Sequence, residues 1–415
     1  MEPVTLPDGA RRLWPLDPSV TFLNHGSYGA CPRAVLDVQG RLRERLESEP
    51  VRFLSRELEG LLDAARADLA AFVGAESGDL AFVPNATTGV NTVLRWLDLG
   101  PGDEVLATDH AYNACRNAVD AVTARAGARV VVAPVPFPLK DPEEVLLAVL
   151  GRVGPRTRLA LVDHVTSPTG LVLPIERLVG ELSARGVDAL VDGAHAPGMV
   201  SLDLRALGAA YYTGNCHKWM CAPKGAGFLH VRPDRQAGIR PLVISHGANS
   251  RRTDRSRFRL EFDWMGTADP TGYLTVPEAI RYMGSLLPGG WPALMARNRA
   301  TALGARDRLC AALSVPPPAP DSMIGSLAAV PVPADFGPAP LADEPDPLQA
   351  VLFDRFGLEL LVFTWRALAT RILRVSAQLY NTAAEYERLA DALETLRGEK
   401  RDSGGHAHAG YRAQR

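Results

Sequence analysis

Lysine and cysteine are both scarce in this chain of 415 residues. Only four of its 45 basic residues are lysine, so a lysine within an apolar segment is a notable exception. The cysteines are an odd number at irregular spacings, which argues against a disulfide framework or a zinc pattern and favours a reducing compartment. The five cysteines are Cys31, Cys115, Cys216, Cys221 and Cys310.

Long apolar runs and blocks of one charge are also missing. No stretch reaches the roughly 18 apolar residues that a membrane span needs, and the first residues lack the apolar core of a signal peptide. The net charge of −2 comes from 45 basic and 47 acidic residues that are mixed along the chain. This balance argues against nucleic acid or a membrane surface as a partner. We therefore expect a cytoplasmic protein that acts on a small molecule.

Between about Phe53 and Val231, short β-branched runs alternate with helical stretches, a pattern typical of a parallel sheet with crossover helices. From Thr275 the pattern changes to a long helix and then to a shorter mixed region. We expect an α/β fold in which a large domain holds a mostly parallel seven-stranded sheet beside a smaller α+β domain. The predicted strands are Leu80–Val83, Glu104–Thr108, Arg129–Pro134, Arg158–His164, Ala189–Asp192, Ala210–Thr213 and Gly227–Val231.

The predicted domain boundaries follow from these changes of pattern. Residues 1–55 form an N-terminal segment that we expect to pack with the small domain. Residues 56–275 form the large domain and residues 276–399 the small one. The tail at 400–415 is polar and glycine-rich, a composition typical of disorder.

Lys218 is the lysine with the most apolar neighbours. It follows His217 in the short turn between the last two predicted strands, and Trp219, Met220 and Cys221 come directly after it. Apolar surroundings lower the pKa of an amine and make it nucleophilic, as a Schiff base requires. A surface lysine in a turn is the alternative, and the scarcity of lysine elsewhere favours the functional interpretation.

Asp192 ends an apolar strand and has no basic neighbour in the sequence. A buried carboxylate needs a cation or hydrogen-bond donors. The protonated pyridine nitrogen of pyridoxal phosphate (PLP) would supply the cation, and His195 would then reach the phenolic oxygen of the cofactor. A helix N-cap followed by a surface histidine explains Asp192 and His195 equally well, so the residues alone leave both interpretations open.

Two further strands end in polar residues. Thr87 and Thr88 begin a helix, where amides and hydroxyls can hold a phosphate, although plain N-capping is the alternative. Asp109 and His110 follow the second predicted strand, and His110 would lie flat against an aromatic ring unless it is simply exposed. Ligands of open α/β sheets bind at the carboxyl ends of the strands, so we expect these residues to lie together.

In order and spacing, these motifs resemble the class V aminotransferase family of fold-type I PLP enzymes, and most of all its isopenicillin N epimerase-like members. The resemblance covers about residues 17–397. The matching motifs are Phe22–Arg33, Asn85–Gly89, Asp109-His110, Ser167–Gly170, Asp192–Gly198 and His217–Trp219.

The resemblance implies a role for each matching residue. Lys218 would carry PLP as a Schiff base, Asp192 would hold the pyridine nitrogen, and His110 would stack on the ring. Arg374 matches the arginine that binds the substrate carboxylate, and Asn24 and His25 are candidates to line the entrance. No metal is implied. The other implied cofactor contacts are Ala86, Thr87, Ser167, His195, His217 and Thr267.

The resemblance also implies a homodimer with the site at the interface, in which Thr267 reaches the phosphate in the partner subunit. Two departures stand out. Asn215 replaces a phosphate-binding serine of many relatives, and Gly357–Arg374 lacks the cysteine that related cysteine desulfurases use to form a persulfide.

The expected reaction begins at the α-carbon of an amino acid or amino-acid-derived substrate and continues as epimerisation or C–S cleavage. Transamination is the alternative within the family. A metal-dependent hydrolase is the alternative of another class, because aspartate and histidine side chains at one sheet edge make a plausible ligand set. Those side chains are Asp109, His110, Asp163, His164, Asp192 and His195.

Overall fold

The computed structural model describes residues 9–341, 344–365 and 369–409. The strands in these ranges are β1 (Thr21–Phe22), β2 (Leu80–Val83), β3 (Glu104–Thr108), β4 (Arg129–Ala133), β5 (Thr157–Asp163), β6 (Asp188–Gly193), β7 (Tyr211–Asn215), β8 (Gly227–Val231), β9 (Leu327–Pro331), β10 (Leu358–Glu359), β11 (Leu361–Trp365) and β12 (Thr370–Ser376).

The α-helices are α1 (His25–Tyr28), α2 (Arg33–Ser48), α3 (Pro50–Arg52), α4 (Leu58–Val73), α5 (Ala86–Trp96), α6 (Asn113–Ala126), α7 (Pro142–Leu150), α8 (Ile175–Ala184), α9 (Leu204–Leu207), α10 (Arg257–Phe262), α11 (Thr271–Leu274), α12 (Val276–Ser285), α13 (Gly290–Leu313), α14 (Pro347–Phe356) and α15 (Ala383–Ala409). Among these helices, none combines the length and the apolar character that a membrane span requires.

A seven-stranded sheet forms the centre of the fold, with the strand order β2-β8-β7-β6-β5-β3-β4. Only β8 runs against its neighbours in this sheet, and the other pairs are parallel. Residues of β2, β3, β7 and β8 are buried throughout, as expected for strands covered on both faces. The predicted α/β architecture is confirmed, and all seven predicted strands lie within two residues of the observed bounds.

A smaller antiparallel sheet has the order β11-β12-β9, and the long helices α13 and α15 pack on each other beside it. The N-terminal segment is tied to this part of the chain, because β1 pairs with β10. Leu23 continues the connection: its N–H donates to the carbonyl of Glu359 at 2.8 Å, and its carbonyl accepts the N–H of Ser376 at 2.8 Å. The residue boundaries of the two domains remain a prediction.

Helix α15 continues to Ala409, and residues 410–415 lie outside the described part of the chain. The disorder expected from residue 400 remains a prediction.

Candidate active site

The predicted site residues gather at one edge of the large sheet. β6 and β7 are adjacent and parallel; Asp192 lies near the end of β6, and Lys218 follows the end of β7. β2 runs in the same direction as β7, because both are antiparallel to β8 between them. The start of α5, which follows β2, therefore reaches the same edge of the sheet.

The turn that carries Lys218 is held from two sides. The Lys218 carbonyl accepts the N–H of Cys221 at 3.0 Å, and Cys221 has a φ of 58°, a left-handed conformation that costs energy in a residue other than glycine. The same carbonyl lies 3.0 Å from Nε2 of His25, whose Nδ1 lies 2.8 Å from the Tyr380 hydroxyl. A Cβ at Gly29 would stand 2.0 Å from the His217 carbonyl oxygen. Only glycine lets the N-terminal segment approach the lysine turn so closely.

Hydrogen bonding around His195 favours the uncharged form of the Lys218 amine. The indole N–H of Trp219, which can only donate, lies 3.3 Å from Nδ1 of His195. Burial lowers the pKa of His195 well below its ordinary value, so the neutral ring carries its proton on Nε2. Nε2 lies 3.1 Å from Nζ of Lys218, where its N–H can donate to the lone pair of the uncharged amine.

The electrostatic surroundings agree with this arrangement. Burial and then the charge of nearby Arg374 lower the pKa of Lys218 to about 8, although Asp192 opposes both effects. Lys218 is therefore a nucleophile at mildly alkaline pH.

Asp192 is buried and receives two hydrogen bonds. The N–H of Ala194 donates to Oδ1 at 3.0 Å, and the thiol of Cys115 donates to Oδ2 at 3.2 Å. Asp163 stands beside Asp192 in the register of β5 and β6. Burial and the charge of Asp192 raise the pKa of Asp163 well above its ordinary value, which favours the neutral form of Asp163. In the described part of the chain, Asp192 has no basic ion-pair partner, which suits a cationic pyridine nitrogen.

At the predicted phosphate end of the site, the expected contact from the Ala86 amide is already hydrogen-bonded within the protein. The N–H of Ala86 donates to Oδ1 of Asn215 at 2.8 Å, and the N–H of Thr88 donates to Oδ1 of Asn85 at 2.9 Å. The Ala86 amide is thus already engaged. Thr87 stands between these two capped positions, and Asn215 still has its Nδ2 donors. An anion here would also lie at the positive end of helix α5.

His217 has a defined orientation at this end of the site. Its Nδ1 lies 2.9 Å from the carbonyl of Ala226 and therefore donates to it, which leaves Nε2 for a ligand. Burial lowers the pKa of His217 to about 4, so the ring is neutral until an anion binds beside it.

Arg374 is a buried cation without a carboxylate partner among the described residues. Its guanidinium donates to the carbonyl of Ser167, to the Ser167 hydroxyl at 3.3 Å and to the Ser27 hydroxyl at 3.1 Å. Its Nε is buried and makes no hydrogen bond. Burial lowers the pKa of Arg374 to about 10. Since an unpaired buried charge is costly, this side chain is suited to an anionic ligand.

Several residues that were predicted to contact a ligand are engaged with other protein residues or lie in an exposed turn. Asn24 accepts the hydroxyl of Ser27 at 2.6 Å and so supports a residue that contacts Arg374. His25 is fully buried under the lysine turn. Both side chains thus contact other parts of the chain, and their role at an entrance remains a prediction. Thr267 lies in an exposed turn and makes no hydrogen bond to the other candidates within the described residues.

His110 is also placed behind the surface of the site, because its ring is 0% exposed. Nδ1 lies 2.7 Å from the Thr169 hydroxyl, and Nε2 lies 3.0 Å from the carbonyl of Val135. Asp109 accepts the N–H of Val135 at 2.9 Å. Within the described residues, no three histidine, cysteine, aspartate or glutamate side chains are placed to hold one metal ion. The ligand set of the metal-dependent hydrolase is therefore not assembled.

Two exposed tyrosines near the site were not predicted. Tyr112 is 46% exposed and directly precedes α6, and Tyr28 is 76% exposed at the end of α1, directly after Ser27. The charges of Tyr28, Asp192 and Arg374 all influence the Tyr112 hydroxyl. In the sequence, the signal that could have pointed to Tyr112 is its aromatic side chain two positions after His110.

These observations fit PLP. A buried lysine amine of lowered pKa, a buried carboxylate and a capped helix N-terminus stand at the carboxyl edge of one sheet, and an arginine without a carboxylate partner among the described residues lies nearby. The fold and the site together define a PLP-dependent enzyme of fold type I.

Comparison with known proteins agrees. The family model described as "Aminotransferase class-V" matches residues 30–309. Isopenicillin N epimerase of Amycolatopsis lactamdurans is 39% identical over 93% of this chain and 98% of its own length. An L-cysteine desulfhydrase of Arabidopsis thaliana is 29% identical over 91% of this chain and 88% of its own. The chain belongs to the aminotransferase class-V family.

Solved structures show the same fold. The cystine C–S lyase C-DES, in complex with cysteine persulfide, has a TM-score of 0.74 at 22% identity and covers 91% of this chain and 98% of its own. The cysteine desulfurase of Thermococcus onnurineus has a TM-score of 0.76 at 18% identity and covers 96% of this chain and 100% of its own. At these identities the likeness supports the architecture alone.

Proposed function

We propose that this enzyme binds the carboxylate of an amino acid or amino-acid-derived substrate at Arg374 and removes the α-proton with Lys218. The observation that carries the proposal is the buried Arg374 guanidinium, which has no anionic partner in the described part of the chain and lies near the Lys218 amine, whose pKa is lowered to about 8. A bidentate guanidinium matches the geometry of a carboxylate. Ser27 and Ser167 hold the guanidinium in place.

The other residues divide the remaining tasks. PLP, when bound, supplies a conjugated ring that accepts the electrons released at the substrate α-carbon. Asp192 balances the positive charge of the pyridine nitrogen, while Thr87, Asn215 and His217 bind the phosphate. Lys218 takes the α-proton at Nζ because its amine is neutral above about pH 8.

His195 orients that amine through its Nε2–H, and Trp219 fixes the tautomer of His195. Trp219 is fully buried, so water does not compete for its indole N–H.

The favoured outcomes are epimerisation and C–S cleavage. The identity of 39% to an isopenicillin N epimerase supports the first, and the identity of about 30% to plant L-cysteine desulfhydrases supports the second. Epimerisation returns the proton to the opposite face of the α-carbon, whereas C–S cleavage expels a thiol from the β-carbon. Transamination is the alternative outcome after the same first step.

A panel of L-amino acids in deuterated solvent tests this function. Exchange of the α-proton identifies the substrate, and product analysis separates an epimer, a thiol with a keto acid, and an amine-transfer product. The purified protein should be yellow, and borohydride should fix the cofactor on Lys218. Lys218→Ala should abolish that adduct, while Lys224→Ala, at an exposed lysine of the same loop, should retain it. Colourless protein that added PLP leaves unchanged would refute the proposal.

We further propose a homodimer in which the exposed Thr267 turn reaches the phosphate site of the second subunit. Light scattering should give twice the chain mass. A mixed dimer pairs one Lys218→Ala chain with one Thr267→Val chain. If Thr267 acts across the interface, one site carries both substitutions and the other site carries neither. If Thr267 acts within its own subunit, each site carries one substitution. PLP stoichiometry and affinity in the mixture distinguish the two cases.

A cytoplasmic location also belongs to this proposal, since all five cysteines are free. Fractionation of cells that produce the protein would test it.

A further inference from the structure

The two aromatic side chains that follow β3 differ in what they offer to a ligand. His110 exposes no surface, and both of its ring nitrogens are engaged. Its ring meets Trp365 edge to face, with centroids 4.5 Å apart and planes at 69°. The contacts of His110 with its protein neighbours therefore leave no part of its ring free for a ligand.

His110 instead connects three segments of the sheet edge. It follows β3, bonds to Val135 just beyond β4, and lies against Thr169, whose hydroxyl is 2.8 Å from that of Thr166. The turn between those two threonines contains Ser167, which contacts Arg374. His110 is thus a positioning residue for the arginine.

Tyr112 has the surface that His110 lacks. It is 46% exposed and precedes the first turn of α6, where Cys115 reaches Asp192. Burial raises the pKa of Tyr112, the charges of Cys115, Tyr28 and Asp192 raise it further, and Arg374 lowers it. The Tyr112 hydroxyl therefore lies within electrostatic reach of both the pyridine end and the carboxylate end of the site.

Strand order places Tyr112 and Lys218 on opposite sides of Asp192. Lys218 follows β7, which neighbours β6 on one side, and Tyr112 follows β3, which lies beyond β5 on the other. A flat ring anchored at Asp192 would thus be approached from one side by the lysine and from the other by an aromatic ring.

We propose that Tyr112, and not His110, lies against the face of the cofactor ring. This inference rests on the proposed function, because it assumes PLP at Asp192. Aromatic rings prefer offset or edge contacts with one another, so the phenol ring contributes through its area and not through its hydroxyl.

Equilibrium titration of the cofactor-free full-length enzyme with PLP tests the proposal, together with visible circular dichroism of the bound cofactor. Tyr112→Ala should raise the Kd for PLP about 3- to 10-fold, the factor that one aromatic contact provides. It should also change the dichroic band. Tyr112→Phe, which keeps the ring, should retain the affinity and band of the parent enzyme. Because Tyr112 is partly exposed, both variants should fold, and thermal unfolding checks this.

Three results would overturn the proposal. The first is an unchanged Kd and dichroic band in Tyr112→Ala. The second is a loss of PLP affinity in Tyr112→Phe equal to that in Tyr112→Ala. The third is a loss of PLP affinity in His110→Gln that exceeds the loss in Tyr112→Ala while the folded fraction is unchanged. Failure of the proposed function gives a different result, since the parent enzyme would then bind no PLP at all.

Discussion

Arg374 and Arg371 allow one structural prediction to be tested with a matched pair of variants. Both are buried on β12, three residues apart, yet among the described residues only Arg371 has a carboxylate partner. Its Nε donates to Asp346 at 2.6 Å, and a second nitrogen also bonds to that aspartate. Replacing each arginine by glutamine therefore compares the loss of a buried ion pair with the loss of an unpaired buried charge.

The expected costs differ in size. Arg371→Gln leaves Asp346 buried and unpaired, which costs about 3–5 kcal/mol of unfolding free energy. For Arg374, a pKa of about 10 against an ordinary value of about 12.5 corresponds to a charge penalty of roughly 3 kcal/mol at neutral pH. Arg374→Gln removes that penalty and loses three hydrogen bonds from a charged donor, worth at least about 1.5 kcal/mol each. The removed penalty offsets most of this loss, so Arg374→Gln should be destabilised by only about 1–2 kcal/mol, less than Arg371→Gln.

Substrate affinity should show the opposite pattern. Arg374→Gln removes charge-assisted hydrogen bonds to the substrate carboxylate worth about 1.5–3 kcal/mol, a loss of about 10- to 150-fold in affinity. Arg371→Gln should leave affinity unchanged in the fraction that folds. Denaturant unfolding of the cofactor-free proteins gives the stabilities, and titration of the holoenzymes with the most active amino acid of the panel gives the affinities. If Arg374→Gln is destabilised as strongly as Arg371→Gln and binds the amino acid normally, Arg374 has a structural role and the reasoning fails.

Three more predictions concern the lysine and the phosphate. Because the pKa of Lys218 is about 8, its amine is charged below that pH, and the rate of PLP incorporation should fall as pH drops through 8. Arg374→Gln should move the midpoint of this pH dependence upward, as measured by stopped-flow absorbance. An unmoved midpoint would contradict the electrostatic account. Trp219→Phe removes the N–H that fixes the tautomer of His195, so Nε2 can then accept from a charged Lys218 and the same midpoint should rise. Asn215→Ala leaves the Ala86 N–H unpaired and removes the Nδ2 donors of Asn215. The affinity for PLP, measured by equilibrium dialysis, should therefore fall about 5-fold per lost hydrogen bond. An unaltered affinity would show that Asn215 does not bind the phosphate.

The sequence predicts the sheet well because its strands are continuous apolar runs. A strand such as Leu80–Val83 is buried along its whole length and ends at a clear polar break. Once the strands are placed, parallel topology brings their carboxyl ends to one edge. The nearness of Asp192, His195 and Lys218 follows from that rule, although the residues span 26 positions of the chain.

The sequence does not show which polar side chains are covered. His25 and His110 have the residue types of ligand contacts, yet packing by distant segments buries both: Tyr380 lies against His25 and Trp365 against His110. Conversely, a tyrosine at a helix start such as Tyr112 carries no signal in the sequence until its exposed surface is known. Likewise, the bond from Ala86 to Asn215 joins two residues 129 positions apart and has no local signal.

The connection between Ser27 and Arg374 has a consequence for biosynthesis. These two residues are 347 positions apart in the chain, and β1 must wait for β10 before it can pair. At a translation speed of 5–20 residues per second, roughly 20 to 70 s pass between the synthesis of the two residues. During that interval the large sheet and its lysine can already be made while the arginine is still missing. The nascent enzyme therefore acquires the means to hold its cofactor before it acquires the means to select a substrate.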